Sequence, residues 1–241
     1  MSAQNYTIED YFPTEPWLEK YREGIEASEE VSNTGEGWGV DWQGEMIFHI
    51  KNLPLSEHVV ADMPDEIVSL IDEAFDSYSD EELEEIVAAA PDEVRSDIEA
   101  RDGDLRENAY DELMETRLAD GPERMWPELR EASPELLVEL LEQIEENITD
   151  GETVYSWIDL YDGTCREVAV LQSPDEREHG FVLSGDYETW KDLVEGEADV
   201  ISLIMSGDME LDGDMQKMLQ YSDAAVALTE VAAAAESRFL F

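Results

Sequence analysis

Negative charge is the strongest constraint on what this sequence can fold into. Of its 241 residues, 63 are Asp or Glu and only 14 are Lys or Arg, so the formal charge is −49. Repulsion at that density destabilises any compact state in dilute buffer, whereas multimolar salt shortens the Debye length to roughly 3 Å or less and removes most of the penalty. The composition therefore predicts an acidic, halophilic protein adapted to high salt.

The hydrophobic content argues against the other reading of such acidity, a disordered acidic chain. Hydrophobic residues make up 42% of the sequence and aromatic residues 9%, which is enough to build a core. The carboxylates are spread along the whole length, as expected of a globular surface. A protein that mimics nucleic acid is a sharper alternative. We do not expect direct binding of nucleic acid, because contact with phosphates needs a basic patch and the sequence offers none.

Location is expected to be cytoplasmic. Cys165 is the only cysteine, so no internal disulfide can form, and we expect it to be a small buried or half-buried strand residue. The first ten residues lack the basic and apolar regions of an export signal. No apolar run approaches the roughly 18 residues that a transmembrane segment requires.

Apolar spacing predicts two helical regions in the first part of the chain. A first helix is predicted over 16–31, where Trp17, Tyr21 and Ile25 recur at helical intervals. The stretch from about 55 to 150 has helical spacing punctuated by Pro and Gly, which predicts a string of helices. Ser79 and Glu82 form a candidate capping box within it.

Alternating apolar residues predict strands on both sides of that helical stretch. Residues 46–50 alternate, and after residue 151 the pattern predicts a meander of three antiparallel strands at 154–161, 168–171 and 181–184. Asp199 can cap a short helix closed by Gly207, then a strand at 209–211 follows, and a long final helix begins after Asp214.

These elements and several local sequences resemble the sterol carrier protein two (SCP2-like) family. The strongest stretches are Asp199–Gly207, the Gly-Asp-Met step at 213–215 and Lys217–Leu219, with the hairpin Ser156–Gly163 and the strand Gly44–Ile50 in support. The resemblance implies an α+β fold in which a small, mostly antiparallel curved sheet is covered by helices. Residues 1–54 and 151–241 would form one discontinuous domain, and residues 55–150 an acidic helical insertion.

The resemblance also implies a lipid-binding or lipid-transfer protein that holds an isoprenoid, acyl or sterol-like ligand in an apolar cavity. Such carriage needs no nucleophile, metal or cofactor, so we expect no enzyme activity. Ordinary core packing is the alternative explanation for Met and Leu at helical spacing. The residues expected to line the cavity, between the sheet and the C-terminal helices, are Trp190, Leu193, Ile204, Met205, Met209, Leu211, Met215, Met218 and Leu219.

Other candidate sites fail on spacing. The loop 208–214 begins like a calcium loop, but the acid required at its twelfth position falls on Leu219. His49, His58 and His179 lie far apart and have no His or Cys at ligand spacing, so no metal site is expected. The second function that we keep open is a non-catalytic accessory module that dimerises or binds an enzyme of lipid or quinone metabolism.

Overall fold

The chain consists of two compact units. The computed structural model describes residues 6–149 and 151–241. The first unit, here called the sheet unit, lies within Met1–Leu53 and Asn147–Phe239, and the second, the helical unit, comprises Pro54–Glu146 with Leu240–Phe241. These limits describe compactness alone, so the idea that 55–150 is an insertion into one discontinuous domain stays a prediction.

One open sheet of five strands organises the sheet unit. Its strands are β1 (Met46–Lys51), β2 (Val154–Tyr161), β3 (Thr164–Leu171), β4 (Phe181–Asp186) and β5 (Met209–Asp212). The order across the sheet is β3-β2-β1-β4-β5. The β1–β4 pairing is parallel and the other three are antiparallel. The predicted α+β class with a mostly antiparallel, helix-covered sheet is confirmed.

Strands β1 and β2 are direct neighbours although about a hundred residues separate them in sequence. Phe48 lies opposite Ser156 in their antiparallel register. Beyond the last pair, Thr153 Oγ1 donates to the carbonyl of Ile50 at 2.7 Å, and the Leu53 amide donates to the carbonyl of Glu152 at 2.9 Å. The prediction that the strands before and after the helical stretch pair in one sheet is confirmed.

The predicted three-stranded meander is wrong at its third strand. Strand β4 does not pair with β3 but lies on the far side of β1, parallel to it. The connection over 172–180 is held by Trp157, whose Nε1 donates to the carbonyl of Glu178 at 3.0 Å. The guanidinium of Arg177 also lies 4.7 Å from the centre of the Trp157 ring. These contacts attach the connection to β2 while the chain passes on to β4, a long-range effect that strand spacing does not reveal.

Thirteen α-helices occur among the described residues. They are α1 (Glu15–Ala27), α2 (Glu29–Thr34), α3 (Asp65–Ser77), α4 (Asp80–Ala88), α5 (Asp92–Glu99), α6 (Leu105–Met114), α7 (Gly121–Arg124), α8 (Pro127–Ala132), α9 (Glu135–Asn147), α10 (Tyr187–Val194), α11 (Val200–Ser206), α12 (Met215–Gln220) and α13 (Ser222–Ala234). Helices α3 to α9 confirm the predicted helical string.

Two predicted helices are each divided in two. The first breaks at Ser28, whose extended backbone ends α1 and whose hydroxyl accepts a hydrogen bond from the Val31 amide at 3.2 Å to start α2. The last breaks at Tyr221, which lies between α12 and α13. The side chain of a Ser residue can cap a new helix in place of continuing the old one. Apolar spacing alone does not predict where such a break occurs.

The helical unit is tied together by charged groups as well as by apolar faces. Ser79 and Glu82 form the predicted capping box, with hydrogen bonds of 2.8 and 3.2 Å between side chain and backbone. Further along, Glu112 accepts hydrogen bonds from both Arg101 and Arg124 and is only 12% exposed. A carboxylate held by two guanidinium groups fixes the relative positions of three chain segments.

Candidate ligand cavity

An apolar cavity of about 70 Å³ lies inside the sheet unit, between the sheet and its covering helices. Strands β1, β2 and β4 supply its floor, and helices α1, α2 and α10 to α13 supply most of its walls. The residues that line it are Phe12, Trp17, Tyr21, Val31, Trp38, Met46, Phe48, Leu160, Gly163, Thr164, Leu183, Trp190, Leu193, Val194, Val200, Met218, Ala224, Ala225, Leu228, Thr229 and Ala232.

Trp190 of α10 is fixed against the floor of the cavity. Its Nε1 donates to the carbonyl of His49 at 3.1 Å, and its ring centre lies 5.1 Å from that of Phe48. Gly185 in β4 permits this close packing, because a Cβ there would lie 3.1 Å from Met209 and 3.3 Å from Nε1 of Trp190. The indole is therefore held with its polar atom paired and its ring face available to the cavity.

Two aromatic residues of α1 form the opposite wall. Trp17 and Tyr21 stack at 5.4 Å. Nε1 of Trp17 donates to the hydroxyl of Ser237 at 2.7 Å, and the hydroxyl of Tyr21 donates to the carbonyl of Leu228 at 3.1 Å. Burial raises the pKa of the Tyr21 phenol far above its ordinary value, so it stays neutral. The polar atoms of this wall are thus satisfied by neighbouring protein groups.

Helix α13 contributes small side chains to the cavity. Ala224, Ala225 and Ala232 line it. The same helix packs closely on α1, since a Cβ on Gly24 would lie 2.8 Å from Val231. The alanines leave space that larger residues in the same helix face would fill.

The interior offers no charge to a ligand. None of the described residues in the cavity wall is charged, and its two threonines are already bonded to backbone. Thr164 Oγ1 donates to the Tyr161 carbonyl at 2.8 Å and Thr229 Oγ1 to the Ala225 carbonyl at 3.1 Å. A charged or strongly polar group placed here would lose its water without finding partners, so the wall suits hydrocarbon.

Three of the nine predicted lining residues lie in this wall: Trp190, Leu193 and Met218. The structure places the other six elsewhere. Met209 is buried against Gly185, and Ile204 and Leu211 are half-buried. Met205, Met215 and Leu219 are exposed. Whether any of the nine contacts a ligand stays a prediction.

The six residues lie outside because their helices are short and turn only one face inward. Helix α11 has seven residues, and Val200 alone among them is buried and reaches the cavity. In α12 only Met218 is buried. Sequence reasoning missed the contributions of α1 and α13. The signals for them were the aromatic pair Trp17 and Tyr21 on one helical face and the run of alanines near the end of the chain.

The remaining candidate groups form no catalytic assembly among the described residues. Cys165 is fully buried in β3, as predicted, and burial raises the pKa of its thiol to about 12, so it is not a nucleophile at neutral pH. Asp214, from the calcium-like loop, caps α12 by accepting hydrogen bonds from the amides of Gln216 and Lys217. The one trio of possible metal ligands in the described chain, Asp192 with Glu195 and Glu197, lies on the exposed surface.

Comparison with known proteins identifies a family for part of the chain. Residues 126–226 match the sequence model of the SCP-2 sterol transfer family. The predicted family resemblance is confirmed. The match begins immediately before α8 and ends within α13, so it includes the end of the helical stretch and leaves out the first part of the resemblance drawn from the sequence, which lies before residue 55. At the level of the family, the associated activity is lipid binding and transfer.

Two solved structures are similar to the chain over nearly its whole length. A crystal structure of sterol carrier protein 2 is 17% identical with a TM-score of 0.45, covering 91% of this chain and 95% of that one. A solution structure of a conserved hypothetical protein from Thermus thermophilus, described as possibly a sterol carrier protein, is 17% identical with a TM-score of 0.47, covering 97% and 95%. No curated protein matches the sequence.

None of the described helices combines the length and the apolar character that crossing a bilayer demands.

Proposed function

We propose that the sheet unit binds the hydrocarbon part of an isoprenoid, acyl or sterol-like lipid in its cavity and carries that lipid. The observation that supports this most directly is the wall, which combines uncharged side chains with polar atoms already paired to protein. Burying each methylene group of a ligand there contributes about 0.8 kcal/mol. Carriage of this kind requires no nucleophile, metal or cofactor, so the proposal is a carrier and not an enzyme.

The size of the cavity makes entry of a ligand depend on movement of the wall. The volume is about 70 Å³, and a cavity of about 150 Å³ is what holds a benzene molecule. A longer chain must therefore displace part of the lining. Helices α11 and α12 are the part best able to move, because each has only one buried residue.

A matched pair of tryptophan substitutions tests the proposal. Met218→Trp introduces bulk into the cavity, whereas Met215→Trp places the same bulk on an exposed position of the same helix. We expect Met218→Trp to reduce uptake of a fluorescent fatty-acyl or isoprenoid probe in multimolar KCl, and Met215→Trp to leave uptake unchanged. Fluorescence titration measures both.

The opposite result would indicate a filled core. If the wild-type protein takes up no probe and Met218→Trp only lowers stability, by about 1–3 kcal/mol for overpacking, carriage is excluded. Native mass spectrometry in volatile salt is a separate measurement that distinguishes carriage from the accessory-module function. Copurifying lipid supports carriage, whereas a stable dimer or enzyme partner without lipid supports the accessory-module function.

Adaptation to high salt in the cytoplasm is part of the same proposal. It is supported by the formal charge of −49 and by crowding of carboxylates along single helices. In α9, partial burial and the neighbouring carboxylates of Glu135 and Glu142 raise the pKa of Glu139. Such repulsion is relieved when concentrated salt screens the surface.

A further inference from the structure

Every side-chain hydrogen-bond donor in the described wall of the cavity is already used. Six side chains of this wall carry an N–H or O–H group: Trp17, Tyr21, Trp38, Trp190, Thr164 and Thr229. Nε1 of Trp38 donates to the carbonyl of Gly44 at 2.7 Å. The other five donate to the hydroxyl of Ser237 or to backbone carbonyls, at 2.7 to 3.1 Å. A ligand therefore meets no free side-chain donor among these residues.

Hydrogen-bond acceptors remain in the same wall, because a hydroxyl oxygen has two lone pairs besides its hydrogen. The indole nitrogens of the tryptophans can only donate. The hydroxyls of Thr164 and Thr229 have each donated their hydrogen to a backbone carbonyl, and their oxygens can still accept. The oxygen of Tyr21 keeps lone pairs too, but Tyr21 is only 4% exposed and lies in the closed part of the wall. The wall is thus matched to a polar group that donates.

The two threonines lie where the wall of the cavity reaches the surface. Thr164 is exposed at the start of β3, and Ala225 and Thr229 of α13 are half-buried, whereas most of the wall is buried. Helix α2 borders this opening on both sides, since it packs against α13 and its residue Ser32 contacts Gly163, between β2 and β3. A lipid that enters tail first leaves its polar end at the opening, because deeper in the cavity that end would lose its water.

We infer that the cavity selects lipids whose polar end is a hydrogen-bond donor, and that Thr229, assisted by Thr164, makes the selection. The class is a long-chain, isoprenoid or sterol-like alcohol, which donates its hydroxyl hydrogen to Oγ1 of Thr229. This inference rests on the proposed carriage of lipid and narrows it. Ethers, esters, ketones and carboxylates have acceptors only, so they meet a lone pair at that oxygen unless Thr229 gives up its bond to Ala225.

This selection persists in concentrated salt. A hydrogen bond acts between atoms in direct contact, whereas attraction or repulsion between separated charges is screened. An alcohol and its methyl ether are both uncharged and can share one hydrocarbon chain. A comparison of the two therefore isolates the effect of the donated hydrogen.

Competition of geranylgeraniol and its methyl ether with a fluorescent isoprenoid probe tests the inference in multimolar KCl. The readout is the ratio of the two affinities, which a loss of stability does not change because both competitors bind the same folded molecules. Thr229→Val should lower the alcohol-to-ether ratio roughly fivefold, the effect of one hydrogen bond, because valine has nearly the shape of threonine without its oxygen. Thr229→Ser should keep the ratio of the wild type.

Thr34→Val is the matched control. Oγ1 of Thr34 also donates to the carbonyl four residues earlier, that of Glu30 at 2.7 Å, but Thr34 lies outside the cavity wall, so the ratio should not change. Thr164→Val alters an exposed position and leaves the helices intact, and it should lower the ratio about twofold.

Different outcomes contradict the selection and the carriage. The inference is overturned, and carriage stands, if both competitors displace the probe and neither valine variant of the wall lowers the ratio. The same holds if Thr34→Val lowers the ratio as much, or if Thr229→Ser behaves like Thr229→Val. If the wild-type protein takes up no probe, carriage itself fails and the inference fails with it.

Discussion

The two units each enclose a small cavity, and the walls of these cavities differ in charge. The cavity of the sheet unit, about 70 Å³, has no charged residue among its described lining residues. The cavity of the helical unit, about 30 Å³, has Glu112 and Arg124 in its wall, joined as an ion pair. Side chains of an uncharged wall can replace their contacts with one another by contacts with a hydrocarbon ligand. An ion pair in the wall opposes both expansion of the cavity and binding of an apolar ligand, because either would separate or further desolvate the charges.

Charge is also distributed differently between the units. Of the 63 acidic residues, 31 lie in 54–146, and the six cations in that stretch are all Arg. Each of these arginines forms an ion pair with a carboxylate. Most of the partner carboxylates are exposed, and Glu112, at 12% exposure, is the one among them that is largely shielded from solvent. The helical unit thus has an ion pair in its cavity wall, whereas the sheet unit has the uncharged wall that the proposed carriage of lipid requires.

The largest expected effect is a difference in how the two units respond to salt. Lowering KCl from multimolar to millimolar should destabilise both units, and the helical unit more, because its carboxylates are denser along the chain. Hydrogen exchange read by mass spectrometry resolves the units separately. Equal protection of both units at every salt concentration would contradict the greater salt sensitivity expected of the helical unit. A melting temperature that does not change with salt would exclude halophilic adaptation.

The next effect concerns the buried thiol of the sheet unit. With its pKa raised to about 12 by burial, Cys165 should react with iodoacetamide at pH 8 on the order of a thousandfold more slowly than an exposed thiol. Because the folded pKa exceeds the unfolded one, this group favours unfolding as pH rises from about 8.5 towards 12. Alkylation followed by mass spectrometry reports opening of the sheet unit. Rapid modification in high salt, while 54–146 stays protected, would show that the sheet unit opens alone.

The third effect tests the charged interior of the helical unit. Glu112→Ala should cost about 2 kcal/mol, since it removes from Arg101 and Arg124 a shared partner that is only 12% exposed. Glu115→Ala is the matched control, because Glu115 also pairs with Arg101 but is 69% exposed, and it should cost less than about 1 kcal/mol. Urea unfolding at fixed KCl measures both. Similar costs for the two variants would show that the shielded carboxylate of Glu112 has no special structural role.

Local chemistry explains which parts of the fold could be predicted from the sequence. The capping box of Ser79 and Glu82, the cap of α11 at Asp199 and its end at Gly207 each depend on residues within a few positions of one another. The same holds for the hairpin of β2 and β3, which closes at residues 162–163. Short-range hydrogen bonds of this kind can be predicted from the identities of neighbouring residues.

Long-range packing explains what could not be predicted. Strand β4 lies beside β1, and nothing in its own sequence specifies that neighbour. The connection that leads to β4 is held by Trp157, which belongs to β2. The wall of the cavity combines Trp17 from α1 with Ala232 from α13, more than two hundred residues apart. Apolar spacing identifies the inward face of a helix but not which other helix that face meets.

The closure between Leu53 and Glu152 has a consequence for the order of folding. Pairing β1 with β2 in an extended chain requires closing a loop of about a hundred residues, at an entropic cost that grows with loop length. Helices α3 to α9 are built largely from local contacts, which form quickly. If these helices fold first, the flexible part of the loop between β1 and β2 becomes shorter, and β2 comes close to β1. The acidic helical stretch would then act as an internal folding aid that sets the rate at which the sheet assembles.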